Sequence, residues 1–463
     1  MGNDNHTILS TMESSDIPLS DLSDLPRILT AHKKAQESNP DLPDPLIRVH
    51  AWVLHARKQK RIIFMNLRDG GFVQVMYKLK PSNPRYAAQH LAIKPEAAVE
   101  VVGTLKEDER APEGYEIHAT DVTVIKPSES IDSINKETGT YHKLNYRHLV
   151  IREQRMVQVL KARAVITELL REFFKGERLW EVTPPTITQQ SVEGGSTLFK
   201  FDYYGMQATL TQSSQLYLEA CIPSLKRVYT ILPSFRSEKS KTIRHLSEFT
   251  HCEAELAFIS FEDLLQFIER MVRHVVRSVL EHPETARFVE EVHPELACFD
   301  QDFMRLRYAD AIKFCQEHGI TKSDGAEFVY GDDIPDAPER AMVNMIGRPV
   351  LLTHFPADMK SFYMSRDPEN TEETLSVDLL LPGVGETVGG SMRIDDTEEL
   401  LAAFKREGIP TKSYEWYIDQ RRYGSTPHGG FGLGIERLIM AICKQDSVRE
   451  CCLFPRYVGR LLP

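Results

Sequence analysis

Between residues 47 and 124 apolar and polar side chains alternate in short runs: Arg48-Val49-His50-Ala51-Trp52-Val53, then Ile62-Ile63-Phe64-Met65-Asn66-Leu67, then Gly71-Phe72-Val73-Gln74-Val75-Met76-Tyr77. A period of two puts alternate side chains on opposite faces, so each run predicts a strand. Asp69-Gly70-Gly71 supplies a turn, and further runs at 98–103 and 116–119 follow at similar spacing, which predicts a small β-barrel of about 80 residues over 46–126. Upstream, residues 1–45 are polar and broken by Pro18, Pro26, Pro40, Pro43 and Pro45, the pattern of a partly helical extension. Downstream, 127–146 is rich in Ser, Asp and Lys and reads as a hinge. A second domain over 147–463 opens with helical spacing of Val157, Leu160, Ala164, Leu169 and Phe173. Beyond that helix, strands and helices mix without regular βαβ alternation, so the expected fold is α+β around an antiparallel sheet. Gly319, Gly347, Gly408 and Gly424 stand where left-handed caps would end helices.

Composition narrows the class. The 463 residues, 41% of them hydrophobic, suffice for about three domains with at least one large core. No apolar run reaches the roughly 18 residues of a membrane span, and the N-terminus lacks a secretory or transit pattern, so no membrane partner and a cytoplasmic location are expected. Net charge is −11, from 56 basic against 67 acidic residues, which disfavours general DNA binding and confines any RNA contact to local patches such as Arg57, Lys58, Lys60 and Arg61. The seven cysteines show no C-x-x-C spacing, so reduced, buried thiols are expected rather than disulfides or structural zinc.

Candidate chemistry concentrates in three places. Phe235-Arg236-Ser237-Glu238, a loop with Lys239, Lys241, Arg244, His245 and Leu246, and a returning strand from Glu248 to Leu256 form a basic strand–loop–strand. A fixed guanidinium beside a cationic lid suits a nucleotide triphosphate. On the returning strand His251, Glu253 and Glu255 share one face. His428-Gly429-Gly430-Phe431-Gly432-Leu433-Gly434-Ile435-Glu436-Arg437 opens an apolar helix near the C-terminus, and Trp180-Glu181-Val182-Thr183-Pro184-Pro185 precedes the basic hairpin. Singly, these have bland readings: a solvated hairpin, glycines that allow close strand packing, and a proline at a strand edge.

Taken in order, the three segments resemble motifs 2, 3 and 1 of the class II aminoacyl-tRNA synthetases, and the strands upstream resemble that family's OB-fold anticodon-binding domain. The likeness spans essentially residues 47–463 and points to subclass IIb, which holds the aspartyl, asparaginyl and lysyl enzymes. It implies a homodimer with Pro185 at its interface, and ATP held by Arg236, Glu238, Arg244, His245, Leu246, Glu386, Gly434 and Arg437, with Arg236 and Arg437 catalytic. It also implies Mg2+ on Glu386 with Asp378 nearby, and an amino-acid pocket of Glu193, Gln215, Glu253 and Arg393. Phe64, Arg68, Gln74 and Glu116 match positions that contact anticodon bases, although Phe64 alone would read as barrel core.

Within the subclass, two details favour an amide over an acid. Aspartyl enzymes carry Lys where this chain has Leu218, which removes the cation a buried carboxylate needs. Glu253 can accept from a carboxamide NH2 and repel a carboxylate, while Arg393 can donate to the amide oxygen. The expected partners are therefore ATP, L-asparagine and tRNA(Asn). An aspartyl enzyme, an asparagine synthetase of this descent and a non-catalytic RNA-binding paralogue are the alternatives; Leu218 and Glu253, the barrel, and the three residues Arg236, Glu386 and Arg437 disfavour them in turn. Aspartyl members have Ser where Gly389 stands here. Because Glu386 and Arg393 are an odd distance apart, a shared pocket requires a bend or bulge, expected at Gly389-Gly390.

Overall fold

The computed structural model describes residues 16–79, 92–129, 139–189, 191–192, 198–240 and 242–462, and the chain divides into two compact units between Thr138 and Gly139.

In the first unit β1 (Leu46–Gln59), β2 (Ile62–Arg68), β3 (Phe72–Lys78), β4 (Ala98–Glu107) and β5 (Tyr115–Lys126) close a barrel in the order β1-β2-β3-β5-β4. Alternation builds its interior: Val49, Ala51, Val53, Ile63, Met65, Leu67, Val73, Val75, Val99, Val101 and Ile117 are buried together. A bulge between Val53 and His55 interrupts the pairing of β1 with β2, so the alternation that places Val53 inside is not simply continued beyond it. Residues before the barrel belong to its core, since Leu22, in a short turn ahead of the helix Leu25–Ser38, and Leu25, that helix's first residue, are buried against these strands. Residues 1–15 of the expected extension lie outside the described residues.

The second unit begins earlier than the expected hinge ends, with a helix at Thr140–Asn145. Its long helix, Gln154–Gly176, buries Met156, Val159, Ala162, Ile166, Leu169, Leu170, Phe173 and Phe174. That corrects the expected stripe: Ala164 is exposed, and Val157 and Leu160 are only half-buried. Several apolar residues crowd this helix, so composition alone leaves its phase open; contact with the sheet sets it.

The remaining strands are β6 (Trp180–Glu181), β7 (Ile187–Thr188), β8 (Lys200–Tyr203), β9 (Met206–Leu210), β10 (Arg227–Phe235), β11 (Glu248–Ala257), β12 (Met304–Arg307), β13 (Val350–Thr353), β14 (Arg366–Asp367), β15 (Asn370–Thr374), β16 (Ser376–Leu381), β17 (Gly385–Met392) and β18 (His428–Gly434). Eight of them form one sheet in the order β12-β13-β16-β17-β18-β11-β10-β6. Its centre is antiparallel, as expected, while the terminal pairs β12/β13 and β10/β6 are parallel. Gln154–Gly176 and the helix Phe261–Glu281 cover one face through a continuous apolar core. Ser260 starts the second of these helices with a capping box to Asp263. The helices Tyr308–Glu317 and Asp336–Ile346 pack with β12 and β13 around a separate core. The opposite face of the central strands is left to polar side chains, and there the candidate site lies.

The four glycines expected to end helices all adopt positive φ, between 65° at Gly408 and 99° at Gly424, and Gly347 is the left-handed cap of Asp336–Ile346. A β-carbon would fit the open space there but not the backbone. Gly347→Ala is therefore expected to destabilise the protein by about 1 kcal/mol, read as a lower denaturation midpoint; an unchanged midpoint would contradict the cap assignment.

Candidate active site

Three adjacent strands, β17, β18 and β11, set the floor of a cleft of about 350 Å3. Gln215, Leu218, Arg236, Glu238, Arg244, His245, Leu246, Glu253, Asp378, Glu386, Gly389, Arg393, Gly434 and Arg437 all line it, although they span more than two hundred positions of chain. Glu193 lies outside the described residues.

The basic hairpin differs slightly from its expected form. Strand β10 ends at Phe235, so Arg236 and Glu238 stand in the loop rather than on one strand face. Arg236 is still fixed, by its backbone N–H to Ser247 and by its guanidinium 5.3 Å from the Phe249 ring centre. Arg244 donates to Glu339 at 2.6 Å and ion-pairs with Asp336 at 2.8 Å, so a helix of the neighbouring module holds the loop. Burial pushes the Glu339 carboxyl up to about 7, against the pull of Arg244. Arg437 donates to the Glu386 backbone oxygen at 2.8 Å and to its carboxylate at 3.1 Å. Despite burial, which acts upward, Arg437 and Arg244 hold the Glu386 carboxyl well below its ordinary value.

Glu386 and Arg393 do share the cleft, and a bulge makes it possible, but not where expected. Leu379 pairs with Val388 and Leu380 with Glu386, which leaves Thr387 as the extra residue. Gly389 and Gly390 pair regularly with Gly432 and Phe431. The sequence spacing required a change of face without saying which residue would absorb it. A β-carbon on Gly389 would lie 3.5 Å from Glu386 Oε1 and 3.6 Å from Asp378 Oδ1. Two carboxylates thus approach one small space, a donor set that suits a hard cation such as Mg2+. Lys360 donates to Asp378 at 2.8 Å and opposes the rise that burial imposes on that carboxyl.

At the other end of the cleft, Glu253 is buried and accepts hydrogen bonds from Ser213 Oγ and, at 2.9 Å, from the Ser214 backbone N–H. Burial raises its pKa and these donors oppose the rise. Leu218 is wholly buried and packs with Ile222, Val228 and Ala257 while its edge lines the cleft, so packing and pocket roles coincide. Arg393, also buried, forms a two-pronged pair with Glu255 at 2.9 and 3.1 Å and donates to Ser391 Oγ at 2.6 Å. Tyr363 lies 5.3 Å from that guanidinium.

Several residues in and under this cleft belong to no sequence motif that assigns them a role. Glu255 was placed only by strand alternation, two residues beyond Glu253. Glu339, Lys360 and Tyr363 come from segments with no motif. Glu219, Tyr417, Arg421 and His428 form a buried group beneath the pocket. Carboxylate and imidazole atoms of Glu219, Glu255 and His428 come within 4.8 Å of one another. Arg421 and Arg393 already supply cations to this group, so no metal is assigned there.

In the barrel, burial alternates along β2 so that Phe64 lies on the outer face while Ile63, Met65 and Leu67 fill the core. Phe64 is paired in register with Arg57 and Met76, and Asn66 with Gln74, which in turn pairs with Glu116. Gln74 donates to Glu116 at 2.8 Å, and His118 is 2.7 Å from the same carboxylate. Phe64, Gln74 and Glu116 thus share a mixed aromatic and hydrogen-bonding face, the kind that receives unpaired bases. Arg68 is not on it in the same way; it is buried and paired with Glu96 at 2.9 Å.

Comparison with known proteins agrees with this geometry. The family described as tRNA synthetases class II (D, K and N) matches residues 139–458, and an OB-fold nucleic acid binding domain matches 47–125. The cytoplasmic asparagine–tRNA ligase of Saccharomyces cerevisiae is 47% identical over 426 residues, which is 90% of this chain and 76% of that protein. The chain belongs to the asparaginyl-tRNA synthetase family. Asparaginyl-tRNA synthetase of Entamoeba histolytica in complex with asparaginyl-adenylate superposes with a TM-score of 0.84 at 41% identity, covering 91% of this chain and 97% of that one. The Pyrococcus horikoshii asparaginyl-tRNA synthetase complexed with asparaginyl-adenylate gives 0.85 at 37% identity, covering 92% and 98%. An OB-fold barrel followed by a class II synthetase catalytic domain is therefore the architecture of this family member.

The glycines of β18 admit the buried acid–base pair. A β-carbon on Gly430 would overlap the Glu255 carboxylate and the Ala254 carbonyl. Gly430→Ala is expected to cut asparagine activation by at least about 100-fold while the circular dichroism spectrum stays native; retention of activity within twofold would show that Glu255 can move without consequence.

Proposed function

We propose that this chain is a cytoplasmic asparagine–tRNA ligase that joins L-asparagine to ATP, releases pyrophosphate, and passes the asparaginyl group to tRNA(Asn). The observation that carries the reading is the joint placement of Glu253, Arg393 and Leu218 in one cleft with Arg236 and Arg437. Three of the five N–H groups of Arg393 are engaged by Glu255 and Ser391, which leaves two for a carboxamide oxygen. Glu253 retains acceptor capacity for the amide NH2. An aspartate side chain would face Glu253 as a like charge and meet Leu218 where a cation would be needed, a mismatch that can discriminate by about 10⁴.

In the first step an oxygen of the asparagine α-carboxylate bonds to the α-phosphorus as the bond from that phosphorus to the bridging oxygen breaks, and pyrophosphate leaves. Arg236 stabilises charge on the α-phosphate, Arg437 holds the γ-phosphate, and Arg244 with His245 meets the outer phosphates from the loop. This requires Arg437 to exchange its contact with Glu386, and Arg244 its contacts with Glu339 and Asp336, for phosphate oxygens. Glu386 and Asp378 would hold Mg2+, which neutralises phosphate charge when bound. In the second step a terminal ribose hydroxyl of the tRNA attacks the adenylate carbonyl, AMP departs with the bonding electrons, and an ester forms. Gln215, and Glu193 from outside the described residues, bind the amino-acid main chain.

Phe64, Gln74 and Glu116 read anticodon bases in this account. Trp180 and Ile187, which flank Pro185 in the chain, are large and exposed, which supports a second copy of the chain covering that surface. The curated relative's cytoplasmic designation, and the lack among the described residues of a helix long and apolar enough to cross a membrane, accord with a cytoplasmic enzyme.

Pyrophosphate exchange with purified protein is expected to depend on asparagine and a divalent cation, to cease on chelation, and to fall by at least about 100-fold in Arg236→Ala. Exchange undiminished in that variant would remove Arg236 from the mechanism. Phe64→Ala is expected to lower tRNA charging by about tenfold or more while exchange stays near the parent rate. Equal loss in both assays would argue against base stacking.

A further inference from the structure

Beneath the amino-acid pocket, Glu219 is a buried anion with an unusual number of ties. It lies one turn after Gln215 on the helix Gln215–Leu225 and accepts from the Gln215 side-chain amide at 3.0 Å. Tyr417 donates to it at 2.9 Å, Arg421 donates to the same carboxylate, and His428 Nε2 is 3.1 Å away. The last three partners come from two further places around the pocket: Tyr417 and Arg421 from the helix Glu415–Arg422, and His428 from the first residue of β18. The network then touches the segment just past β17 that carries Arg393, because Arg421 donates to the Ile394 carbonyl at 2.9 Å and the His428 carbonyl accepts from the Arg393 N–H at 2.9 Å.

Such a carboxylate is costly to bury, and the four groups around it, the buried Arg421 guanidinium among them, account for an acid rather than an amide at this place. Its position gives that charge a second consequence. Glu219 follows Leu218, the residue that stands where acid-selective members have a cation. Glu255 pairs directly with the buried Arg393 guanidinium, and Glu219, paired with Arg421, brings a second buried carboxylate within 4.8 Å of Glu255. Burial acts upward on Glu219, yet Arg421 and His428 hold its carboxyl far below the usual range, so it is ionised at neutral pH. The amide nitrogen of Gln215 is occupied by Glu219, which leaves the Gln215 carbonyl oxygen as the acceptor of that side chain for a substrate ammonium.

We propose that Glu219 is a specificity-determining positioning residue: it fixes Gln215 for the substrate main chain and adds the buried negative charge that turns the Arg393 pocket against a carboxylate and toward a carboxamide. It acts through Gln215 and Arg393 and does not itself touch substrate. The inference rests on the proposed asparagine-activating function.

The test compares pyrophosphate exchange by the parent enzyme, Glu219→Gln and Glu219→Asp, with asparagine and with aspartate. If the parent fails to activate asparagine, the functional reading fails; the variants bear on Glu219 only once the parent is active. Glu219→Gln removes the charge at nearly constant volume, and the ratio of kcat/KM for asparagine over aspartate is expected to fall by about tenfold or more, chiefly through KM. Glu219→Asp keeps the charge but shortens the reach to Gln215, so the ratio is expected to persist while KM for asparagine rises about threefold or more. A ratio for Glu219→Gln within twofold of the parent would overturn the proposal, as would a Glu219→Asp enzyme with the parent KM. Should Glu219→Gln fail to fold, the Glu219→Asp arm still decides.

Discussion

A guanidinium buried away from water must be given anions, and the anions must be given room. Arg393 meets that requirement through Glu255, and Glu255 fits because Gly430, on the adjacent strand, has no side chain. Once the pair is closed, the free edge of Arg393 faces the cleft as a donor of fixed direction. This end of the cleft thus takes its form from satisfying one buried charge. It also explains why two glycine-containing strands stand beside a strand of alternating acids: β17 and β18 supply closeness, and β11 supplies charge.

The same sheet serves two chemistries by changing face once. Thr387 is the extra residue that lets both Glu386, beside Gly389 and Asp378, and Arg393, beside Glu255, face one cleft. Without it, alternation would send either Glu386 or Arg393 into the apolar core under Val388. Glu436 reinforces this arrangement from behind, receiving Arg163 at 2.8 Å and the Thr250 N–H at 3.0 Å, so the helix after β18 is pinned to β11. The phosphate end is held more loosely, by ion pairs between Arg244, Arg437 and carboxylates that incoming phosphates can replace. Rigid selection of the side chain and exchangeable binding of the nucleotide are consistent demands on a two-substrate site.

Much of this was legible in the chain because the decisive residues sit on strands, where a period of two fixes their neighbours. His251, Glu253 and Glu255 were placed on one face from spacing alone, and Phe64 is set on the barrel's outer surface by the same alternation, against the core position its apolar side chain suggests. What spacing could not supply was partners from elsewhere: Glu255 with Arg393, Arg244 with Glu339, and Arg68 with Glu96 unite residues 28 to 138 positions apart. Nor could it place the bulge at Thr387 or the phase of Gln154–Gly176, because those are set by the register of neighbouring strands and by the sheet that the helix covers. Glu219 was visible as a letter beside Leu218 and invisible as a function, since its four partners come from three elements.

On the proposed function, the electrostatics of the pocket around Arg393 favour a neutral amide over an acid of almost identical shape. Calorimetric titration of the purified enzyme with non-hydrolysable asparaginyl-adenylate and aspartyl-adenylate analogues isolates that preference from catalysis and from tRNA. The asparaginyl analogue is expected to bind at least about 10³-fold more tightly. Equal affinities, or tighter binding of the aspartyl analogue, would contradict it.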